Sequence, residues 1–109
     1  INSHYLEMPP NHLHHYVSAK GALHGFTKSI ASELAVKGIQ INSISPSMTE
    51  TEQIANLSEK MKMITIAKTP LKRLCNPNDI ANAVMFLASE KTSFICGETI
   101  RINGGQIMI

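Results

Sequence analysis

The sequence lacks the features that mark secreted, membrane-spanning and nucleic-acid-binding proteins. It has no tryptophan and only two cysteines, Cys75 and Cys96, which form no CxxC pair. We therefore expect a reduced, cytoplasmic protein without a metal site. No apolar run approaches the roughly 18 residues of a membrane span. The net charge is +2 and no basic stripe carries interleaved aromatic residues, so neither a membrane nor a nucleic acid is expected as a partner.

The composition is that of an ordinary globular protein. The chain is 43% hydrophobic and 17% charged over 109 residues, the size of one small domain or of a piece of a larger one. A chain this short buries a small fraction of its surface, so we expect it to need further protein. It shows no internal repeat or low-complexity linker and begins with isoleucine, so we expect residues 1–109 to be a single unit cut from a longer chain.

Strand and helix patterns alternate along the chain. Leu23, Phe26, Ile30 and Leu34 recur at helical spacing and share one face, and Ile80, Val84 and Leu87 are expected to form the buried face of a later helix. The predicted elements are the end of a strand at 1–3, a loop at 4–13, a helix at 14–36, a strand at 39–44 that Pro46 ends, a weakly patterned helical stretch at 49–69 without a strong cap, a second firm helix from Asn76, and a strand at 98–102.

Two helix boundaries carry specific signals. Gly38 is typical of a helix stop, because glycine accepts the left-handed conformation. Asn76 can cap a helix whose first position holds Pro77 and whose first turn holds Asp79. The alternation of strands and helices predicts an α/β fold with a parallel sheet. We interpret 49–69 as a mobile flap.

A tyrosine and a lysine stand four residues apart in the first helix. Tyr16 and Lys20 would share a helix face, where a nearby cation favours a phenolate and lets a tyrosine act as a general acid or base. Ser3 ends a predicted strand, and the carboxyl ends of such strands face the ligand crevice. Alone, the pair fits an exposed surface contact equally well.

Six ordered motifs strengthen the catalytic interpretation. Ser3 is followed by YVSAK at 16–20, INSISPSMTET at 41–51, TPLKRL at 69–74, IANAVMFLAS at 80–89 and ICGETIRINGG at 95–105. In this order and spacing the chain resembles the C-terminal half of the short-chain dehydrogenases/reductases, and most of all the 3-oxoacyl-acyl-carrier-protein reductases. The resemblance covers essentially the whole chain and implies the C-terminal part of a Rossmann-type, doubly wound parallel sheet, incomplete without the N-terminal half.

The resemblance also implies roles for individual residues. Tyr16 would donate the proton to the substrate carbonyl, Lys20 would favour its phenolate and hold the ribose hydroxyls of the cofactor, and Ser3 would bind the carbonyl oxygen. The segment from Pro46 to Thr51 would lie beside the nicotinamide and pyrophosphate, with Thr49 and Thr51 in contact with the cofactor. Ser47 stands where the family usually has glycine, which leaves close approach of the backbone to the cofactor in question.

Two parts of the family pattern are missing. There is no Gly-rich phosphate loop and no upstream segment with the family's catalytic asparagine; Gly104-Gly105 follows a strand but opens no helix. We therefore expect the 109-residue chain to be inactive on its own. A longer parent would be a cytoplasmic NAD(P)-dependent enzyme of fatty acid biosynthesis that reduces a ketone, a 3-oxoacyl thioester, to a secondary alcohol. The resemblance favours NADPH and a homodimer or homotetramer.

Alternatives remain for the function and for two residue clusters. The substrate could be a sugar, a steroid or a small polyol, or the chain could be a non-catalytic subunit that acts only with a partner. His12, His14 and His15 suggest either a metal site or, preferably, a solvated loop and helix start. The apolar residues Met61, Met63, Ile64 and Ile66 could form a wall for an acyl chain or pack in the core.

Overall fold

The fold is a two-stranded parallel sheet with helices before and between its strands. In the computed structural model, which describes residues 1–109, β1 pairs with β2 from Ser43↔Thr99 to Pro46↔Ile102. This confirms the predicted α/β class and parallel strands. The elements are α1 (His14–Ala35), β1 (Ser43–Pro46), α2 (Glu59–Lys68), α3 (Pro77–Leu87) and β2 (Thr99–Ile102), with short 3-10 helices at His4–Leu6, Glu52–Ile54 and Glu90–Thr92.

The core is small and mostly polar. Only 12 of the 109 residues are buried, and Ala31, Ile44 and Cys75 are the only apolar ones among them. Large apolar side chains such as Phe26 and Phe94 are exposed. The chain therefore leaves much of its apolar surface uncovered, as its short length led us to expect.

The buried side chains of helix α1 are small. The predicted apolar stripe is only partly buried, since Ile30 and Leu34 are half-buried whereas Leu23 and Phe26 are exposed. Thr27 and Ala31 are the buried residues of the helix instead. The predicted stop is confirmed, because Gly38 has φ +76° and its N–H donates to the Ala35 carbonyl.

Strand β1 begins four residues later than predicted. The side chain of Gln40 donates to the Thr92 and Ile95 carbonyls, and that of Asn42 donates to the Ile95 carbonyl. The alternating residues at 39–42 are thus held by these side-chain hydrogen bonds and by two backbone bonds, from the Gly97 N–H to the Ile41 carbonyl and from the Ile39 N–H to the Leu34 carbonyl, and they form no strand. Pro46 is the last residue of the strand instead of the residue that follows it, and β2 begins one residue later than predicted.

The predicted strand end at 1–3 is wrong. Asn2 makes one ladder bond, from its N–H to the Ile44 carbonyl at 2.6 Å. The next bond of a parallel ladder would need an N–H at Pro46, which proline lacks. The chain instead turns at Ser3 into the 3-10 helix His4–Leu6, so the predicted loop at 4–13 contains one helical turn.

The stretch predicted as a flap contains two short helices. The predicted lack of a cap is wrong, because the Ser58 hydroxyl accepts the Met61 N–H at 3.2 Å at the start of α2. No side chain of α2 is buried, and Met61, Met63 and Ile64 are exposed. Core packing is therefore not their role within this chain. The mobility of 49–69 stays a prediction.

The start of α3 confirms the predicted cap. The Asn76 side chain accepts the Asn78 N–H, Asp79 accepts the Asn76 N–H in return, and Pro77 occupies the first turn. Arg73 donates two hydrogen bonds to Asp79, at 2.6 and 3.1 Å.

The buried face predicted for α3 is only partly correct. Ile80 and Leu87 are half-buried, but Val84 is exposed. Val84 and Leu87 border an open cleft beside Ile44 of β1, so this face of the helix is only partly covered. None of the helices combines the length and the apolar character needed to cross a membrane.

The cap of α3 gives a stability prediction. Asn76→Ala removes the acceptor of the Asn78 N–H and should lower the free energy of unfolding by about 1 kcal/mol. Asn76→Asp keeps a capping oxygen and serves as the matched control. Urea unfolding of the natural full-length polypeptide measures both, and equal stability of the alanine variant and the wild type would contradict the cap's contribution.

Asp79 gives a prediction for acid stability. The Arg73 guanidinium and the Asn76 N–H lower the pKa of Asp79 to about 2. Because the folded-state pKa lies below the unfolded value near 3.9, the stabilisation is present above pH 4 and is lost as the pH falls towards 2. Asp79→Asn should therefore flatten the decline of the urea midpoint between pH 4 and 2. An unchanged decline would show that other carboxylates cause it.

Candidate active site

One cavity contains all the residues that the resemblance predicts to be catalytic or cofactor-binding. It has a volume of about 480 Å³ and lies at the carboxyl end of β1, between the first turns of α1 and the segment after the strand. The predicted residues on its wall are Ser3, Tyr16, Lys20, Pro46, Thr49 and Thr51. They come from three separate stretches of the chain, and the location fits the rule that ligands bind at the carboxyl ends of parallel strands.

Ser3 is buried and its hydroxyl keeps a free proton. The residue has an extended backbone and caps the 3-10 helix His4–Leu6, where its Oγ accepts the Tyr5 N–H at 3.2 Å. The Ser3 residue is 5% exposed. Its hydroxyl makes no other hydrogen bond within the chain. Its proton can therefore be donated to an oxygen bound in the cavity.

Tyr16 and Lys20 lie on the same side of α1. The Lys20 Nζ is 5.7 Å from the centroid of the Tyr16 ring and donates to the Ile1 carbonyl at 2.9 Å. An ammonium has three protons, so two remain for a ligand. The Tyr16 residue is 37% exposed. Its hydroxyl has no hydrogen-bond partner in the chain.

The segment after β1 is held in place by its backbone. The Ser47 N–H donates to Ile102 of β2, and an isolated parallel bridge joins Thr49 to Cys75. The Thr49 hydroxyl donates to the Ser47 carbonyl at 3.0 Å. The Thr51 hydroxyl makes no capping bond and is exposed, so it is free to bind a ligand.

His4 and Tyr5 also line the cavity, and the sequence did not single them out. The His4 Nδ1 lies 3.0 Å from the Pro46 carbonyl oxygen, and burial lowers the pKa of the imidazole. The Tyr5 ring contacts the His4 ring at 4.5 Å and meets the Tyr16 ring edge-on at 6.1 Å. The only sequence signal for His4 is its place directly after Ser3.

The remaining histidines do not gather into a ligand set. The His14 and His15 rings meet edge-on at 5.8 Å and both residues are exposed. No cluster of three or more His, Cys, Asp or Glu side chains has the geometry of a metal site. His15 lines the cavity together with Leu13 at its mouth.

The apolar wall of the cavity differs from the predicted one. Met48, Ile54 and Leu57 line it, and all three precede α2. None of the residues proposed for an acyl wall, Met61, Met63, Ile64 and Ile66, is on its surface. The predicted wall is therefore wrong for this cavity, because the cavity ends before the helix begins.

Comparisons with known proteins show which sequences the chain resembles. A family model described as "Enoyl-(Acyl carrier protein) reductase" matches residues 1–106. The 3-oxoacyl-[acyl-carrier-protein] reductases FabG of Vibrio cholerae and Escherichia coli are each 43% identical to the chain over 94 residues, which is 86% of this chain and 38% of the relative. The chain thus spans about two fifths of the length of the curated relatives it matches.

Solved structures show the same similarity. A Brucella melitensis protein titled a short-chain dehydrogenase/reductase, glucose/ribitol dehydrogenase, superposes with a TM-score of 0.92 at 37% identity, over 99% of this chain and 44% of its own. A 3-oxoacyl-[acyl-carrier protein] reductase from Brucella melitensis superposes with a TM-score of 0.83 at 32% identity, over 88% of this chain and 36% of its own. From its sequence match, its fold and the motifs on its cavity, the chain belongs to the short-chain dehydrogenase/reductase family.

Proposed function

We propose that this chain is the catalytic C-terminal portion of an NAD(P)-dependent enzyme that reduces a ketone to a secondary alcohol. One observation carries the proposal. A buried hydroxyl at Ser3, a free phenol at Tyr16 and an ammonium at Lys20 line the same cavity at the carboxyl end of β1. This combination supplies what a carbonyl reduction needs from the protein, namely a hydrogen bond and a proton for the oxygen.

Each of the three side chains has a distinct role in the proposed reaction. NADPH or NADH, when bound, supplies the hydride that reduces the carbonyl carbon. Ser3 donates its hydroxyl proton as a hydrogen bond to the carbonyl oxygen and orients the substrate. Tyr16 transfers its phenolic proton to that oxygen, which gives the alcohol and a phenolate. Lys20, 5.7 Å from the Tyr16 ring, stabilises the phenolate with its charge.

The residues present suit one end of the cofactor. Lys20 has two unused ammonium protons, and the hydroxyls of Tyr16 and Thr51 are unpaired. Together they can hold the carboxamide group of the nicotinamide and the ribose attached to its ring. Pro46 and Thr49 would form the wall on which this group rests. The Gly-rich loop that would bind the phosphates has no counterpart in the chain, so we propose that it belongs to further protein and that residues 1–109 alone are inactive.

The best-supported substrate is a 3-oxoacyl thioester. The similarity to several 3-oxoacyl-acyl-carrier-protein reductases supports it, and Ile54 and Leu57 on the cavity wall suit an acyl chain. The chain's only arginines, Arg73 and Arg101, are both paired, with Asp79 and Glu7. They add no support for docking of a carrier protein.

A polyol or sugar is the second candidate. The higher of the two TM-scores, 0.92, belongs to the structure titled glucose/ribitol dehydrogenase. The polar groups of Ser3, His4 and His15 on the cavity wall can bind hydroxyls. A steroid substrate and a non-catalytic subunit have no specific observation in their favour.

The hypothesis also covers the flap, the assembly and the cellular location of the full-length enzyme. Residues 1–109 would act as a single unit, with the flap at 49–69 closing over the cavity. The full-length enzyme would be a cytoplasmic homodimer or homotetramer, with NADPH favoured over NADH only by the resemblance to the reductases. The apolar surface that the chain leaves exposed is available for such assembly.

An activity assay on the natural full-length polypeptide tests the substrate. The oxidation of NADPH and of NADH is followed with a 3-oxoacyl thioester, and the reduction of NADP⁺ and NAD⁺ is followed with glucose and ribitol. Turnover of the thioester supports the reductase, and turnover of glucose or ribitol supports the second candidate. No turnover with either class, from a folded protein, would overturn both.

Tyr16→Phe separates an enzyme from a non-catalytic subunit. The change removes the proton donor and keeps the ring, so kcat should fall by at least about 100-fold. The affinity for NADPH, measured by fluorescence titration, should change little. An unchanged kcat would show that the activity of the assembly does not use this residue, as expected of a non-catalytic subunit.

Lys20→Met tests the charge beside the phenol. It should lower kcat/KM for the ketone by about 100-fold and raise KM for the cofactor, because both the phenolate and the ribose lose an ammonium partner. Lys28→Met, on the exposed side of the same helix and outside the cavity, is the matched control and should behave like the wild type. Equal losses in the two variants would indicate a general effect of charge on α1.

A further inference from the structure

The turn that carries Ser3 is attached to β1 by two hydrogen bonds that flank the serine. The Asn2 N–H donates to Ile44 at 2.6 Å, and the His4 side chain bonds to Pro46 at 3.0 Å. Both acceptors lie on the edge of β1 that faces away from β2, since Ser43 and Ser47 direct their N–H groups to β2. Residues two apart in a strand share an edge.

His4 occupies the place of a missing ladder bond. Pro46 has no N–H, so the backbone ladder cannot continue past Asn2, and the chain leaves the strand direction at Ser3. The Pro46 carbonyl would then lack a partner on this edge. The His4 ring supplies one, and this side-chain bond is the only hydrogen bond between the turn and the end of β1 after Ser3.

The chemistry of this bond fixes the proton on the ring. A carbonyl oxygen can only accept, so the His4 Nδ1 must carry the hydrogen. Burial lowers the pKa of His4, so the ring is neutral near neutral pH, and a neutral imidazole carries only one proton. The structure thus requires the Nδ1–H tautomer, with Nε2 unprotonated.

The His4 ring also belongs to a row of aromatic contacts that reaches the phenol of Tyr16, the proposed proton donor. The His4 and Tyr5 ring centroids are 4.5 Å apart, and the Tyr5 and Tyr16 centroids are 6.1 Å apart at 75°. These separations are typical of attractive aromatic pairs. His4 is therefore bonded on one side to the strand end that leads to Thr49 and Thr51, and contacts on the other side the ring that packs on Tyr16.

We propose that His4 is a positioning residue of the active site, whose Nδ1–H bond to the Pro46 carbonyl fixes the hydroxyl of Ser3 and, through Tyr5, the phenol of Tyr16 relative to the end of β1. The proposal rests on the proposed function and adds to it a residue that does not touch the reacting atoms. Small displacements of catalytic groups are costly, since about 1 Å can reduce a rate by 100-fold. The loss of the bond should thus appear in kcat.

Two variants of the natural full-length polypeptide separate the hydrogen bond from the ring. His4→Phe keeps an aromatic ring and removes the donor, so kcat for the ketone should fall by about 10- to 100-fold, with KM for the cofactor within about twofold. His4→Asn keeps a donor near the position of Nδ1 and should recover at least about a third of the wild-type kcat. Wild-type kcat in His4→Phe, or equal losses in both variants, would overturn the role of the bond.

The ring nitrogens provide a readout that does not depend on activity or on a variant that folds. The ¹⁵N chemical shifts of His4 in the wild-type protein at neutral pH should identify the Nδ1–H tautomer. The Nε2–H tautomer would overturn the proposal even if His4→Phe failed to fold. If Tyr16→Phe is inactive and His4→Phe is not impaired, the positioning role alone fails. A Tyr16→Phe variant with full activity would overturn the proposed function and the positioning role with it.

Discussion

The parallel hydrogen bonds between β1 and β2 fix the position of almost everything else in this chain. They hold Ser47 against Ile102, so the segment that follows β1 leaves the sheet at a defined point and runs along the cavity. The opposite edge of β1 receives Asn2 and His4. One short strand therefore supports both sides of the candidate site, the side of Thr49 and Thr51 and the side of Ser3.

Pro46 has a large effect because it occupies the last position of that strand. Its missing N–H ends the pairing with the first residues of the chain and its carbonyl binds His4. The turn at Ser3 follows from this, and in the turn the serine hydroxyl accepts the Tyr5 N–H and keeps a proton without a partner in the chain. Pro46 has no reactive group, yet it shapes the site in two ways. Its missing N–H prevents a backbone hydrogen bond, and its carbonyl accepts one from the His4 side chain.

Burial differs between the polar and the apolar side chains. Polar side chains make up most of the buried residues, and several of them make hydrogen bonds, such as those of Thr92 to the Leu87 and Ser89 carbonyls. Apolar faces such as the one that contains Val84 remain open. Hydrophobic burial is the main stabilising contribution in folding, so a chain that buries so little apolar surface would gain stability if further protein covered those faces. The candidate catalytic residues already have local contacts: Ser3 and Lys20 make hydrogen bonds, and the Tyr16 ring lies beside Tyr5 and Lys20.

The features that depend on neighbouring residues could be predicted from the sequence. The helix α1 with its stop at Gly38, the cap of α3 at Asn76 and Asp79, and the pairing of Tyr16 with Lys20 on one helix face all follow from local spacing and backbone chemistry. The order of motifs was enough to identify the family. Three features became apparent only in three dimensions: the side-chain hydrogen bonds of Gln40 and Asn42, the absence of a strand at residues 1–3, and the bond between His4 and Pro46. These features depend on residues about forty to fifty positions apart in the chain, and contacts over such separations leave no periodic signal in the sequence.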